Sequence, residues 1–248
     1  MKITSRKNER VQHLKRLGAD ASYRAMCGEM LCDGGKLLEE AIAAGIEIRE
    51  IFTSGALDRI VPAGAVVYET DREIIESIST QKTPQSVVFS AKTPEFGELE
   101  SLDGAIILEN IQDPGNVGSV IRTANAFGVR QVVLVGDCAD PYSPKTIRAT
   151  MGAAFKKPVY KTSLDELAMI KGKTPVYAAA LSDSAADVRK IDLRSCAVAV
   201  GNEGRGLTRE MISFCDGTII IPMTPYCESL NASVAAAILM WEMTKDNL

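Results

Sequence analysis

The sequence predicts an α/β protein in two parts: a small α/β module over residues 1–92, and a doubly wound α/β domain with a parallel sheet over residues 104–248. Three observations predict it. From residue 105 onward, short apolar runs alternate with helical patterns, and the runs are apolar throughout, as in parallel strands buried on both faces. Residues 91–101 carry Pro, Gly and three Glu without periodicity, which marks a linker at 93–103. In the last thirty residues, a β-branched strand stops at Pro222, a polar loop follows, and the run from Ala232 to Met243 is apolar almost all round. A helix without a polar stripe is buried against protein on most sides.

In the first part, residues 6–18 read as a helix, with Val11, Leu14 and Leu17 at helical spacing and Gly18 as its stop. A second helix spans 35–44, closed by Gly45. Strands follow at 48–53 and 65–69, then a helix capped by Asp71 and running to Ile78, then a strand at 86–90. In the second part the strands are 105–108, 131–135, 176–180, 197–200 and 218–221. The helices between them are 117–127, 144–153 with Pro144 in its first turn, 164–170, 185–189 and 207–214.

Hydrophobic residues make up 46% and charged residues 24%, the balance of a soluble globular protein. No apolar run reaches the roughly 18–20 residues that span a membrane, and the N-terminus lacks the apolar core of a signal peptide. The six cysteines show no CxxC or zinc spacing, so reduced thiols and a cytoplasmic location are expected, with no metal. A single histidine, His13, excludes a His-rich metal site and argues against a Ser-His-Asp triad. The net charge of −4 argues against a general polyanion binder. Residues 1–24 are the exception, with seven basic side chains against two acidic ones. That pattern fits either a nucleic-acid footprint or a solvated helix face.

Three loops begin where strands end: 109–122, 201–207 and 222–231. In a parallel sheet they share one edge and form one crevice. The first presents backbone N–H groups at a helix start, which suits an anion, yet it is neither GxGxxG nor a P-loop. Arg122 falls early in that helix, where a cation opposes the dipole; a surface arginine is the alternative. Glycines 201, 204 and 206 either admit a flat ligand or make a plain turn. Ser229 and Asn231 are functional groups or simple helix caps.

At these residues a resemblance emerges. The pattern N-x-x-D-P-x-N-x-G-x-x-x-R from Asn110 to Arg122, G-N-E-G-x-G at 201–206, and I-P-M…S-L-N-x-S-x-A at 221–235 resemble, in order, the three motifs of the SpoU/TrmH branch of the SPOUT methyltransferases. The segment 143–154 is similar to that branch's stretch between motifs one and two. The first ninety residues, with Gln81-Lys-Thr-Pro-Gln85, resemble its ribosomal-protein-like RNA-binding module. The resemblance implies methyl transfer from S-adenosylmethionine to a ribose 2′-hydroxyl of structured RNA, a deep C-terminal trefoil knot, and a homodimer. It implies catalytic roles for Asn116, Arg122, Glu203, Ser229 and Asn231. It implies a cofactor held near Leu181, Gly201, Asn202, Ile221, Met223 and Leu230, and RNA contacts from Arg6, Lys7, Arg10, Lys15 and Arg148.

The ribosomal-like module favours 23S ribosomal RNA over transfer RNA. A non-catalytic RNA-binding assembly factor on the same scaffold is the reading from another class; it would be favoured by loss of a motif residue, and none is missing. A nucleotide-dependent oxidoreductase would need a dinucleotide fingerprint that the sequence lacks.

Overall fold

A computed structural model of the chain describes residues 1–57, 61–182, 184–202, 204–226 and 229–246. Its first elements are β1 (Lys2–Ile3), α1 (Glu9–Ala19), α2 (Ala21–Cys27), β2 (Glu29–Asp33), α3 (Gly35–Ala43), β3 (Ile48–Thr53), β4 (Val66–Thr70), α4 (Arg72–Ile78) and β5 (Val87–Lys92). There follow β6 (Ala105–Glu109), α5 (Pro114–Ala126), β7 (Gln131–Val135), α6 (Pro144–Thr150), β8 (Val159–Thr162), α7 (Leu164–Ile170) and β9 (Val176–Ala179). The chain ends with β10 (Ala186–Asp187), β11 (Ala197–Val200), α8 (Arg209–Phe214), β12 (Gly217–Ile220) and α9 (Ala232–Thr244). Packing divides it into two compact units: Met1–Glu95 with Asp140–Lys156, and Phe96–Ala139 with Lys157–Leu248.

The first unit holds a five-stranded mixed sheet in the order β1-β4-β3-β5-β2, with β5 antiparallel to both of its neighbours. The spacing of Val11, Leu14 and Leu17 buries one side of α1 in a core with Leu31, Phe52, Ile75 and Ile78. Asn8 caps α1 by accepting from the Arg10 amide at 2.9 Å. Gly18 is not the stop that the sequence suggests. It lies inside α1, where a Cβ would stand 3.1 Å from Leu31, so its smallness serves close helix–sheet packing. The stop is Asp20, extended, whose carboxylate caps α2 through the Tyr23 amide at 3.0 Å. Three elements of this unit, β1, α2 and β2, go beyond the sequence reading.

The sequence places 140–156 in the second domain, but the segment packs with the first unit, α6 lying against β2. A nearly buried arginine fixes it. Arg24, its side chain 7% exposed, donates from Nε at 2.8 Å and Nη2 at 2.6 Å to one Asp140 oxygen, and from Nη1 to the Leu17 carbonyl at 2.6 Å. Pairing, with each guanidinium nitrogen hydrogen-bonded, is what lets the group stay buried.

The second unit is a seven-stranded sheet, every pair parallel, in the order β10-β12-β9-β11-β6-β7-β8. Strands β6 and β11 are buried along their whole length, as continuous apolar runs require. The sequence reading missed β8, and where it expected a helix at 185–189 the chain forms β10 and a 3-10 turn over Val188–Lys190. Asp187 explains the difference. It ends the strand and accepts from the Arg189 amide at 3.0 Å, and the Arg189 side chain holds its carboxyl down to about 2.

The final helix α9 packs on α5 and β11, burying Ala236, Leu239, Met240 and Met243. Within the single chain one side of it stays open: Val234 and Trp241 are 48% and 46% exposed. No helix among the described residues is long and apolar enough to cross a membrane.

Candidate active site

All three loops belong to the second unit. Strand β6 ends at Glu109, and Asn110 then takes a left-handed conformation (φ 55°) that reverses the chain. Its side-chain oxygen accepts from the Asp137 amide at 2.8 Å, which offsets the strain of that conformation in a non-glycine residue. Asp113 caps α5 by accepting from the Asn116 amide at 3.0 Å, with Pro114 in the first turn. Gly115 leaves that cap room, since a Cβ there would lie 2.7 Å from the Asp113 carboxylate. Asp113 and Pro114 of the motif thus build the helix start that presents Asn116.

Because α5 begins at Pro114, Arg122 stands in its third turn. The dipole opposition expected from sequence does not apply there, since that effect fades within the first turn. Arg122 is exposed, and no hydrogen bond or ion pair joins it to another described residue.

The second loop folds on itself. Asn202 and Gly206 exchange backbone hydrogen bonds at 3.2 and 2.8 Å, and the Asn202 side-chain oxygen accepts from the Gly204 and Arg205 amides. Gly201 is dictated by this closure: a Cβ would come within 2.3 Å of the Gly206–Leu207 backbone. Glu109 anchors the far end of the loop. Buried, it accepts from the Thr208 amide at 2.8 Å and from the Thr208 hydroxyl at 2.7 Å, and Thr208 in turn caps α8. Glu203 lies outside the described residues.

The third loop leads into α9, capped by Asn231, whose side-chain oxygen accepts from the Ser233 and Val234 amides at 2.9 and 3.3 Å. The cap has a second task. The Asn231 side-chain amide donates to Asn116 Oδ1 at 3.1 Å, joining residues 115 positions apart. The Asn202 amide likewise donates to the Asn110 carbonyl at 3.0 Å. First and second loops, and first and third, are therefore tied side chain to chain.

Between the second and third loops, at the carboxyl ends of β9, β11 and β12, lies a cavity of about 400 Å³. Leu181, Gly201, Asn202, Ile221, Met223 and Leu230, the six residues that the motif resemblance implies for the cofactor, all line it, with Ser229 beside them. Val200, Leu207, Ile212 and Ile219 complete the apolar wall. Size, apolar lining and strand-end main chain fit a nucleoside with a short aliphatic arm. Among the described residues no cluster of His, Cys, Asp or Glu is arranged to hold a metal. Burial pushes the Cys138 thiol up and that of Cys215 up to about 12, so neither supplies a thiolate at neutral pH.

The RNA candidates fare unevenly. Arg10 pairs at 2.8 Å with Glu50 and Arg6 at 3.2 Å with Glu73, whereas Lys7 is exposed and Lys15 half-buried, neither in an ion pair with a described residue. Arg148, half-buried near the end of α6, belongs to the first unit and faces the field of buried Asp33. Sequence reasoning missed three connecting or lining residues: Glu109, the side chain of Asn110, and Arg205 on the cavity wall. A carboxylate closing an otherwise apolar strand was the available signal for the first.

Comparison with known proteins agrees with this geometry. Residues 8–88 match an MRM3-like substrate binding domain. The 23S rRNA (guanosine(2553)-2′-O)-methyltransferase RlmP of Bacillus subtilis is 32% identical, over 97% of this chain and 98% of that protein. The 23S rRNA (uridine(2479)-2′-O)-methyltransferase of Streptomyces viridochromogenes is 27% identical, over 100% and 93%. The crystal structure of an AdoMet-bound rRNA methyltransferase from Sinorhizobium meliloti superimposes with a TM-score of 0.88 at 27% identity, covering 100% of this chain and 98% of that one. Residues 104–241, which carry all three loops and the cavity, match the SpoU rRNA Methylase family, and to that family the chain belongs.

Proposed function

We propose that this protein transfers the methyl group of S-adenosylmethionine to a ribose 2′-hydroxyl of 23S ribosomal RNA. The observation that carries the reading is the cavity at the ends of β9, β11 and β12, walled by the second and third loops, with the first loop tied to both. The full-length likeness to two 23S ribosomal RNA 2′-O-methyltransferases favours ribosomal RNA over transfer RNA.

Leu181, Ile221, Met223 and Leu230 would hold the adenosine part of the cofactor against the main chain of Gly201 and Asn202. The cofactor supplies a methyl group already activated on a sulfonium, so the protein has to align two reactants and manage one proton. Arg122 is assigned to the phosphate beside the target ribose and to the charge that develops on its 2′-oxygen, because a guanidinium stays protonated and cannot serve as the base. The proton leaves through Glu203, Ser229 or water. The Asn116–Asn231 pair fixes α5 against the third loop, and so holds Arg122 and Ser229 in register.

The order β12-β9-β11-β6 places β11 between two earlier strands, and α9 returns onto α5; both features support a trefoil knot in the last segment. The exposed Val234 and Trp241 on α9, with Phe127 stacked edge-on against Trp241 at 5.6 Å, support a homodimer through that face. Lys7 and Lys15 are the favoured phosphate contacts of the N-terminal module. The enzyme is assigned to the cytoplasm.

Nucleoside mass spectrometry of ribosomal and transfer RNA from cells with and without the gene tests the substrate. Loss of one 2′-O-methylnucleoside from 23S RNA alone is expected. Loss from transfer RNA alone would overturn the assignment.

A further inference from the structure

Among the described residues the cavity wall holds a single charge. Of the described residues that line it, only Arg205 carries a charge; the rest are apolar, glycine, serine or asparagine. The Arg205 side chain makes no hydrogen bond or ion pair with another described residue. Two other exposed arginines of this unit, Arg189 and Arg194, are satisfied locally: each clamps the aspartate two residues before it at 2.6 Å.

The backbone of Arg205 is fixed in place. Its amide donates to the Asn202 side-chain oxygen at 3.2 Å, inside the loop that Asn202 and Gly206 close, and glycines at 204 and 206 leave its side chain unscreened on both sides. A positioned guanidinium without a partner among the described residues, on a cavity wall whose other described residues are uncharged, selects an anionic group on the occupant. The cofactor carries one such group, the α-carboxylate of its methionine tail, and a planar fork suits a carboxylate.

We propose that Arg205 binds the α-carboxylate of S-adenosylmethionine and of the S-adenosylhomocysteine product, and so sets the orientation of the methionine arm in the cavity. This rests on the cofactor reading given above.

Calorimetric titration of the full chain with S-adenosylhomocysteine and with its decarboxylated analogue, which keeps the ammonium and the thioether, separates the two claims. The wild-type protein is expected to bind both, the carboxylate form roughly tenfold more tightly. In Arg205→Ala that preference should vanish while affinity for the decarboxylated analogue changes by less than about twofold, the signature of pairwise coupling. Arg205→Lys should keep part of the preference. A preference that survives intact in Arg205→Ala, or an equal loss for both ligands, overturns the assignment and leaves the cofactor reading standing. Wild-type protein that binds neither ligand overturns both.

Discussion

Substituting Gly201 by alanine separates what the second loop needs for itself from what it needs for a ligand. The added Cβ would lie 2.3 Å from Gly206 C and Leu207 N and 2.5 Å from Gly206 O, against ordinary contacts of 3.4–4 Å. The loop must retreat by about 1 Å, because protein interiors of this density have no slack to give. That retreat breaks the two backbone hydrogen bonds between Asn202 and Gly206, at 3.2 and 2.8 Å. Each is worth about 1 kcal/mol net, and forced overpacking adds about 1–3 kcal/mol. A loss of about 3–5 kcal/mol in stability is therefore expected without any ligand present, together with loss of cofactor binding. Urea denaturation followed by circular dichroism measures it. Gly204→Ala is the control, its nearest neighbour being 3.6 Å away at the Asn202 side chain, and it should stay within about 0.5 kcal/mol of wild type. If the two variants proved equally stable, the loop closure would not be the reason for the glycine, and a ligand lying flat on the main chain would be the better explanation.

Three further outcomes are expected. Arg122→Lys keeps the charge but loses the planar fork, so turnover should fall at least about tenfold with cofactor affinity unchanged; near-complete activity would remove the geometric role given to the guanidinium. Burial pushes the Glu50 carboxyl above its ordinary value, with Arg10 and His13 opposing that rise. Folded Glu50 thus holds its proton more tightly than the unfolded chain does, and the stability linked to it is full in acid and lost as pH rises through the folded pKa. An NMR titration should place its midpoint above the ordinary 4.5 and move it higher still in Arg10→Ala; a downward move would contradict the burial account. Lastly, Lys7→Ala and Lys15→Ala should each lower the slope of log binding constant against log salt by about one, whereas paired Arg10→Ala should change it less. Unchanged slopes would place the RNA elsewhere.

Much of the second unit could be read in the sequence because a parallel strand buried on both faces is apolar at every position. Residues 105–108, 132–135 and 197–200 show this, and each run begins within one residue of its strand's start. Short or locally decided elements could not. Strand β1 has two residues and gains its place from pairing with β4, and β10 is set by Asp187 turning onto Arg189. Gly18 misled because a glycine needed for packing looks the same in sequence as one that ends a helix. The motif residues were visible as a group, yet the division of labour among them was not. Asp113 and Gly115 build a cap and Gly201 admits a backbone crossing, while Asn116 and Asn231 bond to each other across 115 residues. Glu109 acts on Thr208, 99 residues away, where periodicity gives no signal. The attachment of 140–156 to the first unit rests on α6 lying against β2 and on the long-range ion pairs Arg24–Asp140 and Lys156–Glu40, and contacts of that kind leave no local pattern.

The central claim is that a cavity and three tied loops make a ribose methyltransferase. Its most direct test is transfer of label from methyl-labelled S-adenosylmethionine to unmodified total RNA by the purified chain, followed by size separation and alkaline hydrolysis. A 2′-O-methyl group protects the adjoining phosphodiester, so label is expected in an alkali-resistant dinucleotide from the large ribosomal RNA. Label released in a mononucleotide carrying a methylated base would contradict the account.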